Sequence, residues 1–199
     1  ENIVQHFLGR GFLGKAMVVS VDKATTLRMY DKVQKYWKMQ LAELMADYES
    51  LAGQPWKQGE NPHPVPITDD EEELSGLWEK IRYMSETDMA VVISQGQDEI
   101  DDMRCKGLDI LPHRRRMIEQ DLDTKFKDPD DPFRIVFVCA MWRTGFDVPC
   151  CSPIYLDRPL RKALFAVDEL CGFILAVAYV RPDRLQGMTA SSVREKMKQ

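Results

Sequence analysis

The sequence predicts an α/β fold with a mostly parallel sheet flanked by helices. Three observations carry this. Four apolar runs stand out at residues 16–21 (AMVVSV), 89–94 (MAVVIS), 134–140 (RIVFVCA) and 152–156 (SPIYL). They are continuous, not alternating, as expected of strands covered on both faces by helices. Helical stretches lie between them. The 199 residues, 44% of them hydrophobic, are enough for one domain with a sizeable core.

The elements follow in order. Asp22 is the expected N-cap of a first long helix, on which Leu27, Tyr30, Val33, Trp37, Leu41, Leu44 and Tyr48 recur at helical spacing. Gly53, Pro55, Gly59, Pro62, Pro64 and Pro66 then make a loop. Thr68 and Glu71 form a capping box that opens a second helix, with Leu74, Leu77, Trp78 and Ile81 on one face. This loop-helix excursion, about residues 51–88, reads as an insertion on the α/β core. Residues 95–100 (QGQDEI) read as a polar loop, and Pro112 leads a short helix around 113–122. Arg114, Arg115 and Arg116 cannot share one helical face and read as solvated surface. Residues 125–132 (KFKDPDDP) read as a polar turn into the third strand.

Composition excludes several classes. With 27 Lys+Arg against 32 Asp+Glu, the net charge of -5 speaks against a strongly basic nucleic-acid surface, while leaving room for a local basic stripe. No apolar run approaches the roughly 18–20 residues of a membrane span. The opening ENIVQHFLGRGFLGK has no start methionine and no signal-peptide pattern, and reads as the inside of a longer protein. The 5 cysteines (Cys105, Cys139, Cys150, Cys151, Cys171) form no C-x-x-C pair, so neither a zinc site nor a disulfide framework is expected. A reducing, cytoplasmic setting fits them best.

Residues 141–149 (MWRTGFDVP) hold the most chemistry, because ligands of open α/β sheets bind beyond the C-terminal strand ends. Gly145 permits a sharp turn or a close ligand approach. Thr144 offers a hydroxyl to a phosphate, and Asp147 could accept from a ribose hydroxyl or a neighbouring arginine. A plain turn in which Asp147 caps backbone amides fits the spacing equally well.

The run FRIVFVCAMWRTGFDVP followed by SPIYLDRPL resembles the restriction (R) subunit of type I restriction–modification enzymes. Upstream, ENIVQHF, GKAMVVSVDKATTLRMYDKV, MAVVISQGQDEI and LDILPHRRRM are similar to that family in the same order, so the resemblance covers residues 1–160. It implies a second RecA-like helicase/translocase domain of the P-loop-NTPase type, with the fourth helicase motif at residues 15–30 and the fifth at 144–147. It further implies nucleotide contacts from Gly145 and Asp147, and DNA phosphate contacts from Ser20, Ser94, Thr144 and Arg114. The intact subunit of such an enzyme couples ATP hydrolysis, with Mg2+, to translocation and cleavage of duplex DNA, alongside methyltransferase and specificity subunits. The phosphate-cradling loop and the nuclease carboxylates are expected elsewhere in the parent. The run GRGFLGKA reads as having neither the spacing nor the closing Ser/Thr of such a loop, so no catalytic or metal-binding residue is assigned here.

After YLDRPL the resemblance stops. A Q-x-x-x-R helix, the sixth helicase motif, is expected there, and RKALFAVDELCGFILAVAYVRPDRLQ stands instead. Residues 161–199 are therefore expected to be atypical, from a frameshift or truncation, or else a diverged end in which Arg181 or Arg184 serves differently. The alternatives for the chain are another superfamily-2 helicase motor and a non-catalytic nucleic-acid-binding or interaction remnant.

Overall fold

The computed structural model describes residues 2–10, 14–59, 61–62, 66, 68–139 and 148–157. Residues 1–155 form one compact unit and residues 156–199 another. In chain order the elements are α1 (Asn2–Gly9), β1 (Lys15–Val19), α2 (Lys23–Ala52), α3 (Asp69–Glu86), β2 (Asp88–Ile93), α4 (Glu99–Cys105), α5 (Leu111–Glu119), α6 (Leu122–Lys127), β3 (Phe133–Cys139) and β4 (Cys151–Leu156). The four described strands form one all-parallel sheet in the order β2-β3-β1-β4.

The three inner runs behave as their composition demands. All five residues of β1 are buried, and β3 aligns Ile135 to Val138 with Ala16 to Val19. One face packs Ala16, Val18, Met89, Val91, Ile93, Ile135 and Phe137 against Leu27, Val33 and Trp37 of α2, together with Val4 and Phe7 of α1. β2 pairs with β3 through a register shift: Asp88 faces Phe133 while Met89 faces Ile135. The extra residue at that step is Arg134, which lies 4.3 Å over the Tyr83 ring and donates to Thr87 Oγ1 at 3.1 Å. β4 differs from the sequence reading. Its burial alternates, with Ile154 61% exposed, because one face of this edge strand is uncovered among the described residues.

The helix signals are local and clear. Asp22 caps α2 by accepting from the Thr25 amide at 2.8 Å, and Gly53, at φ 67°, ends that helix in the left-handed region where glycine is at ease. Thirty residues make a rod about 45 Å long. Thr68 and Glu71 complete the capping box of α3. α3 packs on α2 through a second small core of Tyr48, Trp78 and Ile81, with the Trp56 ring tilted at 44° and 6.0 Å from Trp78. α2 and α3 are also joined where Trp37 Nε1 donates to the Met84 carbonyl at 3.1 Å, within the main core.

Three helices depart from the sequence reading. α1 has no counterpart among the predicted elements, α4 occupies part of the predicted polar loop, and α6 occupies the start of the predicted polar turn. α6 forms because Asp121 accepts from the Thr124 amide at 3.1 Å and because Leu122 and Phe126 are buried. The arginine run also differs. Arg115 is exposed, but Arg114 donates to the Ile93 carbonyl and Arg116 to the Met89 carbonyl, so both are tied to β2.

Candidate functional site: the C-terminal ends of β1 and β2

Ser20 and Ser94 each follow the last residue of a parallel strand, at the sheet edge where α/β folds bind ligands. Ser20 is 3% exposed, and its amide donates to the Val138 carbonyl at 3.0 Å. Its hydroxyl is buried without a hydrogen-bond partner in the structure. Ser94 is exposed, and its carbonyl accepts from Arg114 Nη2 at 3.2 Å. Thus Ser94 and Arg114 are brought together. Thr144, Gly145 and Asp147 lie outside the described residues.

Arg114 does not project freely into solvent. Its Nη1 donates to the Ile93 carbonyl at 3.2 Å and its Nη2 lies 2.7 Å from Glu99 Oε1. Glu99, 8% exposed, is the hub. Its Oε2 accepts from Arg114 at 2.9 Å, from Lys23 Nζ at 3.2 Å and from the Gly96 amide at 2.9 Å. Burial pushes this carboxyl up, but the hydrogen bonds from Lys23 and Gly96 and the charges of Arg114 and Lys23 outweigh it. They hold Glu99 below its ordinary range. A Cβ at Gly96 would stand 2.7 Å from Lys23 Nζ, the far end of a flexible side chain that would have to shift. Lys23, Gly96 and Glu99 were absent from the sequence-predicted set. Lys23 and Glu99 are 76 residues apart, and no local spacing announces such a pair.

Contrary to the sequence reading, Gly9, Gly14 and Lys15 do carry the G-x-x-x-x-G-K spacing, yet the fold gives Lys15 another job. A phosphate-cradling loop follows a strand and opens a helix. This one precedes β1, and Lys15 is a strand residue only 1% exposed. Its ammonium donates to the Lys125 carbonyl at 2.8 Å, closing the end of α6. Burial pulls that ammonium below its ordinary value.

The remaining chemistry is sparse among the described residues. Cys105, Cys139, Cys150 and Cys151 form no disulfide among the described residues, and no group of three described His, Cys, Asp or Glu side chains could hold a metal. Burial pushes the Cys151 thiol up to about 11, which keeps it protonated and unreactive at neutral pH. No described helix is long and apolar enough to cross a membrane. A cleft of about 600 Å³ lies at the opposite end of the strands, lined by Tyr83, Glu86 and Arg134.

Comparison with known proteins adds the deciding observation. A 43-residue stretch is 54% identical to the type I restriction enzyme HindI endonuclease subunit of Haemophilus influenzae, covering 22% of this chain and 4% of that protein. Over those residues the chain is similar to a type I restriction endonuclease subunit. A 55-residue stretch is also 43% identical to the putative type I restriction enzyme MjaIXP endonuclease subunit of Methanocaldococcus jannaschii, covering 27% of this chain and 5% of that protein. No protein-family model matches the chain, and no solved structure matches it.

Proposed function

We propose that this chain is a piece of the DNA-translocating restriction subunit of a type I restriction–modification enzyme, drawn from its second RecA-like motor domain. The observation that carries this reading is the 54% identity over 43 residues to a named restriction subunit. The all-parallel sheet, with serines just after β1 and β2, the two strands that flank β3, supports it. In this reading Ser20, Ser94 and Thr144 line a track for the phosphates of duplex DNA, with Arg114 beside it. Gly145 and Asp147 face a nucleotide held mainly by another part of the parent. The parent is then an ATP-dependent type I site-specific deoxyribonuclease, acting in the cytoplasm with methyltransferase and specificity subunits.

ATP and Mg2+ are reagents of that parent. The described residues offer no triphosphate cradle, since Lys15 is buried in β1 and committed to Lys125. No hydrolytic step is therefore routed through them. What these residues do is rigid positioning: the buried sheet fixes Ser20 and Ser94, and the Glu99 hub fixes the loop that follows β2.

The test is ATP hydrolysis by the intact parent subunit with and without duplex DNA. The reading expects stimulation by duplex that Thr144→Ala lowers by about tenfold, the worth of one charge-assisted hydrogen bond. A parent whose ATP hydrolysis ignores DNA contradicts it.

A further inference from the structure

We propose that Lys23, Arg114 and the Gly96 amide form a phosphate-binding cradle that Glu99 holds closed, and that a DNA phosphodiester displaces Glu99 from it. The proposal rests on the reading that this sheet edge faces DNA. It adds a ligand site and a gate that the reading itself does not contain.

The cradle has the donors an oxyanion needs. An ammonium, a guanidinium and a backbone amide converge on one point, and the oxyanion now seated there is the Glu99 carboxylate. Two cations against one carboxylate leave a surplus positive charge. Arg114 Nε is buried without a hydrogen-bond partner, so the guanidinium has a donor in reserve. The cradle is also reachable: the Lys23 side chain is 23% exposed and Arg114 16%. The other carboxylates of α4 are engaged within their own helix or its end, Asp101 with Arg104 and Asp102 with Lys106. Only Glu99 reaches across.

The gate has a hinge. Asp98, immediately before Glu99, sits at φ 54° and ψ 18°, in the left-handed region that side-chain-bearing residues seldom occupy. It gives α4 no side-chain cap, and α4 is only 7 residues long. Rotation about this one residue turns Glu99 out while the sheet stays fixed. A phosphate then takes over the contacts to Lys23, Gly96 and Arg114, and the released carboxylate is solvated.

The experiment is the affinity of the 199-residue chain for a duplex of about 20 base pairs, by fluorescence anisotropy across a salt series. Glu99→Gln keeps the shape and removes the competing charge. It should bind roughly threefold to tenfold tighter at low salt, with the log–log salt slope steeper by about 1–2, near one unit per phosphate newly contacted. Gly96→Ala supplies an independent variant, because its Cβ pushes the flexible Lys23 Nζ off the carboxylate with no change of charge. It should tighten binding by about twofold, through the same freed cation. Lys23→Met should cancel both gains. Circular dichroism melts establish that each variant is folded, and Gly96→Ala decides alone where Glu99→Gln is not. Wild type that binds duplex while the folded variants bind with equal or weaker affinity and an unchanged slope overturns the gate and leaves the DNA track standing. No duplex binding by any form overturns the track and the cradle together.

Discussion

Arg116 reaches from α5 to Asp88 at the start of β2, 28 residues away, and from the same guanidinium donates to the Met89 carbonyl at 2.9 Å. Among the described residues β2 is an outer strand of the sheet, so Met89 offers its carbonyl to the side without a described strand neighbour. The Ile93 amide is met by Met117 Sδ at 3.4 Å, and the Ile93 carbonyl by Arg114. α5 therefore closes with side chains an edge that would otherwise be a template for strand pairing.

Replacing Arg116 by Met should remove this clamp. The variant should lose about 1–3 kcal/mol of stability, the range for a hydrogen-bonded charge left without its partner. The urea midpoint measures it. The variant should also form more soluble oligomers on heating, read by light scattering, as an edge freed of its cover does.

Trp78→Ala should empty the small core between α2 and α3, where Trp78 is 2% exposed against Tyr48 and Ile81. The expected loss is about 3–5 kcal/mol. Native-state hydrogen exchange should show it first in the far half of α2 and the start of α3. The amides of β3, buried in the other core, should retain the slowest exchange.

Acid should weaken the fold through His113, whose imidazolium is disfavoured chiefly by burial against the opposing pull of Asp31 and Asp109. The ring meets Tyr30 edge-on at 4.7 Å. Its folded pKa lies below the unfolded value near 6.5, so the unfolded chain takes up the proton first as pH falls. Stability should therefore drop below about pH 6.5, and His113→Gln should flatten that part of the profile. Urea midpoints at pH 7.5 and 5.5 are the check. An equal loss in both proteins would contradict the assignment.

What the sequence made legible was local. The continuous runs around Val18, Val91 and Val136 marked the buried strands, and Asp22, Thr68 and Glu71 marked two helix starts within a few residues of their partners. α4 and α6 escaped because polar side chains dominate both, leaving only Met103, and Leu122 with Phe126, as apolar anchors. The alternation of β4 was hidden because Ile154 is apolar yet exposed. The polar hub was illegible for a different reason. Glu99 gathers Lys23 from 76 residues away and Arg114 from 15, and only folding brings those charges into one place. The same holds for Arg116 and Asp88, which turned a run read as solvated into an edge clamp.

The measurement that bears most directly on the central claim is the salt dependence of duplex binding by the wild-type chain. A track that contacts three or four phosphates predicts sequence-independent binding whose log affinity falls linearly with log salt at a slope of about -3. Binding that ignores salt, or none at low salt, would contradict a DNA-translocating origin for this domain.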